Sequence, residues 1–192
     1  MRILRAENHR RMAWKNGGGE TVEIAVSPEG AGIDAFDWRV SMARVERDGP
    51  FSVFPGIDRT LAILDGQGIV LDVEGRAPLG LTRRFDPVTF PADAPTSCRL
   101  IDGPILDLNV MSRRGVVAHT VKPLALTEAV EIDIAEPATL VVCVEGDVAI
   151  VRDGVRDRLG RYDCLVWGAG PGALRGWRRA AAALPRRVVR CD

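Results

Sequence analysis

Hydrophobic and polar positions alternate along much of this chain. Over residues 21–26, Val22, Ile24 and Val26 fall on one side and Thr21, Glu23 and Ala25 on the other. Over residues 38–43, Trp38, Val40 and Met42 oppose Arg39, Ser41 and Ala43. Residues 105–111 alternate again and give Asp107 and Asn109 a common face, while Ile132 and Ile134 set Glu131 and Asp133 opposite. A period of two predicts strands buried on one face. Leu61–Leu64 and Ile69–Val73 flank Asp65-Gly66-Gln67-Gly68, and Val148–Val151 and Val155 flank Asp153-Gly154. Both predict hairpins, because Asp-Gly pairs supply the backbone that a tight reversal needs.

Turn residues punctuate these runs at Pro28–Gly32, Asp48–Pro50, Pro55-Gly56, Gly75–Pro78, Pro91–Pro95, Asp102–Pro104, Pro137 and Gly168–Gly172. Short strands so spaced predict an all-β sandwich or barrel, not a parallel α/β sheet. Helical periodicity is weak; Ala180–Leu184 is expected to form at most one turn before Pro185 stops it.

One β-unit occurs twice. Thr60-Leu61-Ala62-Ile63-Leu64-Asp65-Gly66 is answered by Thr139-Leu140-Val141-Val142-Cys143-Val144-Glu145-Gly146, with one extra residue. Further on, Leu81…Phe85-Asp86-Pro87-Val88-Thr89-Phe90 is answered by Leu159…Tyr162-Asp163-Cys164-Leu165-Val166-Trp167. Matches in the same order and at nearly the same separation indicate a duplicated supersecondary unit. The seam between copies is expected within Ser112–Lys122, giving units 1–116 and 117–192 packed as one globule.

Composition narrows the function classes. The chain has 192 residues, 46% of them hydrophobic, enough for one large domain or two small ones. Its 26 basic and 26 acidic residues cancel, so no global field draws it to nucleic acid or an acidic membrane. No run approaches the ~18 apolar residues of a membrane span. The N-terminus lacks an apolar stretch resembling a signal peptide, and Cys98, Cys143, Cys164 and Cys191 show no CxxC spacing. A cytoplasmic location without disulfides is the resulting expectation.

Candidate chemistry lies in a few places. Trp14-Lys15-Asn16-Gly17-Gly18-Gly19-Glu20-Thr21 is either a glycine-rich bend or a substrate-contacting loop; its glycines open a strand, unlike the helix that follows a phosphate loop. Thr21 and Glu23 share one strand face, as do Arg39 and Ser41. If those faces point into a barrel, their side chains line its lumen, and an arginine there needs an anionic partner. If they point outward, they are only solvated. Asp58-Arg59 is either a local ion pair or a carboxylate receptor at the barrel mouth, and Asn109 with Arg113-Arg114 offers a similar choice. His9 and His119 cannot form an HxH pair, and neither repeat contains a histidine, so no metal or other cofactor is expected. No GxSxG elbow or cysteine with an evident base points to a nucleophile. Arg175, Arg178, Arg179, Arg186, Arg187 and Arg190, near Trp167 and Trp177, read as a solvated or acid-paired face in preference to a nucleic-acid patch.

With these residues laid out, the chain resembles the HutD/Ves family. The resemblance rests on Trp14-Lys15-Asn16-Gly17-Gly18-Gly19-x-Thr21, Phe36-Asp37-Trp38-Arg39-Val40-Ser41, Asp48-Gly49-Pro50-Phe51-Ser52-x-Phe54-Pro55-Gly56-Ile57-Asp58-Arg59 and Asp107-Leu108-Asn109-Val110-Met111-x-Arg113-Arg114-Gly115. It is specific as far as the seam and looser beyond it. It implies an all-β bicupin, two tandem cupin-like (jelly-roll) antiparallel barrels, in a cytoplasmic protein often encoded with histidine-degradation enzymes. It further implies binding of a pathway intermediate such as N-formylglutamate and moderation of pathway flux, without an established enzymatic activity. The other branch is named for a cold or stress response. Metal-dependent cupins carry His/Glu ligands at the barrel mouth, which this chain lacks.

The expected protein therefore binds a small anionic metabolite. Lys15, Arg39 and Arg59 would neutralise carboxylates, and Asn16, Ser41 and Asn109 would orient the ligand. Gly17, Gly18, Thr21, Glu23, Asp58 and Arg113 complete the candidate site. The alternatives are a metal-independent enzyme using Glu23 or Asp58 as acid or base, and a non-catalytic scaffold pairing edge strands in a homodimer.

Overall fold

A computed structural model describes residues 1–82, 87–126, 130–131, 138–152, 155–168 and 188–190. The strands in chain order are β1 (Arg2–Leu4), β2 (Arg10–Ala13), β3 (Gly19–Ser27), β4 (Trp38–Val45), β5 (Gly49–Pro50), β6 (Ile57–Asp65), β7 (Ile69–Val73), β8 (Leu79–Leu81), β9 (Val88–Pro91), β10 (Thr96–Leu100), β11 (Ile105–Arg113), β12 (Val130–Glu131), β13 (Ala138–Val142), β14 (Val148–Arg152), β15 (Val155–Leu159), β16 (Cys164–Gly168) and β17 (Val188–Arg190). Among the described residues the only helical piece is a 3-10 turn at Ala6–Asn8. No helix among them is long and apolar enough to cross a membrane. The Phe85-Asp86 pair of the first repeat, Asp153-Gly154, Ile132–Ile134, Ala180–Leu184, Trp177, Cys191 and the arginines from Arg175 to Arg187 lie outside the described residues.

The chain divides into two compact units, Arg10–Pro123 and Met1–His9 with Leu124–Asp192. The division differs from the one the seam predicts. The first nine residues go with the second unit because β1 pairs antiparallel with β16, Ile3 opposite Leu165.

Unit Arg10–Pro123 has a six-stranded sheet, β2-β3-β4-β11-β6-β9, and a four-stranded sheet, β5-β10-β7-β8. Alternation turns Val45, Leu61, Ile63 and Ile105 of the large sheet toward Ile69, Leu71, Val73 and Cys98 of the small one, and these form one core with Leu81 and Phe90. Each fully buried Leu or Ile contributes ~1.5–3 kcal/mol, which offsets the entropy of ordering these strands. A second cluster of Phe36, Ile57, Ala92 and Met111 joins Val26 and Phe54. The alternation over residues 21–26 breaks at Ile24, where a β-bulge shifts the register so that Val26, not Ala25, stands opposite Arg39. Strand β4 is also more buried than its alternation predicts: Trp38, Val40 and Met42 are as covered as the row that carries Arg39.

In the second unit the sheets are β1-β16-β13 and β12-β17-β14-β15. Cys143, Val148, Ile150, Leu159 and Leu165 form its core, with Ile3, Leu126, Val141 and Trp167 packed against it.

The duplicated segments occupy corresponding places. In the first copy β6 pairs with β9, and the hairpin between them, β7 with β8, joins the other sheet. In the second copy β13 pairs with β16, and β14 with β15 joins the other sheet. Outer strands in one sheet and the inner hairpin in its partner is jelly-roll wiring. The protein is an all-β bicupin, two cupin-like units in tandem.

Candidate functional site

The six-stranded sheet brings a polar belt onto the face that packs against the small sheet. Register sets Glu23 beside Ser41 and Ser41 beside Asn109; one row along, Arg39 is beside Met111 and Met111 beside Arg59. Asp107 stands opposite Ala43. Since side chains alternate along a strand, these residues share the face of the buried Leu61, Ile63 and Ile105. Arg39 is only 6% exposed, and its Nε donates to Glu23 Oε2 at 2.7 Å. That buried ion pair consumes both partners' charge.

Arg59 and Asp107 are held differently. Arg59 donates from Nε, at 2.8 Å, and from Nη2 to Asn109 Oδ1. Asn109 Nδ2 donates at 2.5 Å to Asp107 Oδ1. The amide of Asn109 therefore stands between a cation and an anion that form no direct ion pair. Asp107 is 1% exposed, and its Oδ2 accepts no hydrogen bond among the described residues. Burial pushes its carboxyl up to about 6, opposed by Arg59, by Asn109 and by the Ala43 backbone. Burial also lowers Arg59 to about 10, opposed mainly by Asp107. The Arg59 guanidinium carbon lies 4.4 Å from the Phe51 ring centroid and 5.8 Å from that of Phe90, a cation–π arrangement on both rings. From the small sheet Cys98 faces this group; burial and then Asp107 raise its thiol to about 11, which keeps it protonated.

The remaining residues singled out by sequence lie elsewhere. Lys15, Asn16, Gly17 and Gly18 belong to the hairpin turn between β2 and β3, closed by Trp14 N–H to the Gly19 carbonyl at 2.9 Å. Lys15 and Asn16 are exposed, and Asn16 Oδ1 accepts from the Gly18 amide at 3.0 Å, a local turn bond. Gly19 is glycine because an added Cβ would lie 1.9 Å from the Arg44 carbonyl oxygen. Thr21 is on the belt's face and accepts from Trp14 Nε1 at 2.8 Å. Asp58 is on the opposite face, where Arg114 Nε lies 3.4 Å from its Oδ1. Asp58 and Arg59 are adjacent in a strand and so cannot share a face. Arg113 donates to the carbonyls of Phe36 at 3.1 Å and Asp34 at 3.2 Å, which ties down the loop before β4.

Sequence reasoning left out Asp107, Phe51 and Cys98 as site residues. It noted that Asp107 shares a face with Asn109, which was the available signal. Phe51 and Cys98 reach Arg59 and Asp107 from another sheet or loop, and no local pattern reports that. His119 also gains a setting no motif announced. Its Nε2 is 2.8 Å from Thr60 Oγ1 and its Nδ1 2.7 Å from Ser112 Oγ, on the face opposite the belt. Burial lowers its pKa, against an upward pull from Asp58. Among the described residues no group of three or more His, Cys, Asp or Glu side chains is placed to hold a metal ion.

A sequence model of the HutD family matches residues 6–183. The chain belongs to the HutD family. It is 34% identical over 181 residues to an uncharacterised 21.2 kDa protein in the hutC 3' region of Pseudomonas putida, covering 86% of this chain and 85% of that protein. It is 39% identical over 103 residues to Protein Ves of Citrobacter koseri, covering 53% of this chain and 52% of the relative. Among solved structures, a conserved protein of unknown function from Pseudomonas aeruginosa PAO1 is similar with TM-score 0.83 and 32% identity, over 98% of this chain and 91% of that one. HutD from Pseudomonas fluorescens SBW25 is similar with TM-score 0.64 and 29% identity, over 98% and 92%. These relatives associate the family with the histidine-utilisation locus.

Proposed function

We propose that the belt inside unit Arg10–Pro123 binds a small anionic metabolite of histidine degradation, such as N-formylglutamate, and that the protein moderates histidine utilisation by sensing it. The observation that carries this reading is Arg59. Its Nη1 has no acceptor among the described residues, its half-buried side chain has given up part of its hydration, and two aromatic faces flank it. A planar fork presented this way suits a carboxylate, and in such surroundings a charge-assisted bond is stronger than in water. Arg39 is the poorer candidate, because Glu23 already neutralises it.

The test is calorimetric titration of N-formylglutamate into the wild-type protein and Arg59→Met. Wild type is expected to bind in the micromolar range, consistent with two or three charge-assisted bonds less the cost of association. Arg59→Met is expected to lose at least ~10-fold in affinity while still folding, with about 1–3 kcal/mol of stability lost because Asn109 Oδ1 is left without its donors. Absence of binding by wild type, or equal affinity in the variant, removes the reading.

A second reading, metal-independent acid–base catalysis, draws on Asp107, a buried carboxyl titrating near neutrality. Product analysis after incubation with N-formylglutamate and urocanate separates the two: intact ligand with measurable binding favours the sensor.

A further inference from the structure

We propose that Asp107 is the second pole of this site and selects ligands that carry an N–H donor next to a carboxylate. The inference rests on the reading that Arg59 receives the ligand's carboxylate.

The Asp107 carboxylate accepts one side-chain hydrogen bond among the described residues, Asn109 Nδ2 to Oδ1, with support from the Ala43 backbone, and Oδ2 is buried with no partner. A carboxylate taken out of water normally recovers several donors. Asn109 turns its oxygen to Arg59 and its amide nitrogen to Asp107, so a hydrogen-bonding edge runs from cation to anion. A ligand that places an acceptor against Arg59 and a donor against Asp107 repeats the pattern Asn109 already makes. An N-acylated α-amino acid has this pattern, since its amide N–H and its carboxylate sit on the same carbon. The flat rings of Phe51 and Phe90 near Arg59 suit a planar acyl group.

Titration gives the proposal a second handle. The titratable and charged groups facing Asp107 are Arg59 from β6, Cys98 from β10, and the Arg39–Glu23 pair from β4 and β3. The inward residues of β7 and β8 are Ile69, Leu71, Val73 and Leu81, which do not titrate. An N–H donor favours the ionised carboxylate, so affinity for an N–H ligand rises with pH through about 6. A carboxylate ligand without that donor meets only the repulsion of ionised Asp107, and its affinity falls over the same range.

The experiment compares N-formylglutamate with 2-formyloxyglutarate, freshly prepared, in which an ester oxygen replaces the N–H. Calorimetry is run between pH 5 and 7.5 on wild type, Arg59→Met and Asp107→Asn. At pH 7.5 the amide is expected to bind at least ~10-fold more tightly than the ester, the range expected for one hydrogen bond to a charged group. The two pH profiles are expected to slope in opposite directions, and Asp107→Asn to flatten both. Equal affinities with parallel profiles, both abolished by Arg59→Met, overturn the Asp107 proposal and leave Arg59 as the anion receptor. Failure of both ligands to bind wild type overturns both readings.

Discussion

The two units each bury an aspartate, and they do so in opposite ways. Asp163, 7% exposed, accepts from the amides of Ala6 at 2.8 Å and Gly160 at 3.0 Å and from Arg5 Nη1 at 2.7 Å. Burial alone would raise its pKa, but these donors together bring it below the usual carboxylate value. Asp107 has one side-chain donor, and its pKa goes up. The first aspartate ties the chain's beginning to the turn before β16. The second holds an unfilled acceptor. The repeats show the same contrast at a matched position: Arg59 stands opposite Phe90 in the first copy, and Thr139 stands opposite the corresponding Trp167 in the second. The shared wiring forms with an uncharged threonine there, so the fold does not require the charge that Arg59 brings inside.

The sharpest way to break this contrast is through the belt's own neutral pair. Arg39→Ala leaves Glu23 as an unpaired, largely buried anion, and stranding one member of such a pair costs about 3–5 kcal/mol. Urea denaturation at pH 7 is expected to show that loss, with most of it recovered in the double variant Arg39→Met/Glu23→Leu. A loss under about 1 kcal/mol would mean that water reaches the pair, and the belt would then resemble a surface.

Asp107→Asn is expected to stabilise the protein. The folded-state pKa of about 6 lies above the unfolded value, so the folded form holds the proton more tightly. The contribution of Asp107 is therefore full in acid and is lost as pH rises from about 4 to about 6. The rise from the ordinary carboxylate range to about 6 corresponds to about 3 kcal/mol at neutral pH as an upper figure. Asn, always neutral, escapes that loss. The difference between variant and wild type should be near zero at pH 4 and largest at pH 7. A variant less stable than wild type at pH 7 would mean that the ionised carboxylate is structural, like Asp163.

Much of the fold could be read from the sequence, because strand period, turn residues and the internal repeat are local signals. Parity put Arg39 with Ser41 and Thr21 with Glu23 on shared faces, but did not say which way those faces point. Parity also separates Asp58 from Arg59, so only one of that pair can face the lumen. What stayed hidden is non-local. The Ile24 bulge moves Val26 inward without altering composition. The pairing of β1 with β16 joins residues at opposite ends of the chain, and the approach of Phe51 and Cys98 to the belt depends on how elements distant in sequence pack. The number of donors around a buried carboxylate, which separates Asp107 from Asp163, is set by such contacts.

The smallest expected effect tests the other side of the contrast. Asp163→Asn turns an acceptor-only group into one whose amide must face the N–H groups of Ala6 or Gly160 or the Arg5 guanidinium. Losing those bonds should cost about 1–2 kcal/mol, held down because Arg5 is well exposed. The sign of the pH dependence reverses relative to Asp107. A depressed folded pKa contributes stability above the unfolded value and loses it as pH falls through the folded one. The cost of Asp163→Asn should therefore be full at pH 7 and shrink only below about pH 4, whereas the gain from Asp107→Asn is already gone at that pH. His119, with its lowered pKa, also destabilises the fold in acid, but both variants retain it and it cancels from each difference. If denaturation at pH 7 and pH 4 gave both aspartates the same sign, donor count would not be what distinguishes the two barrels.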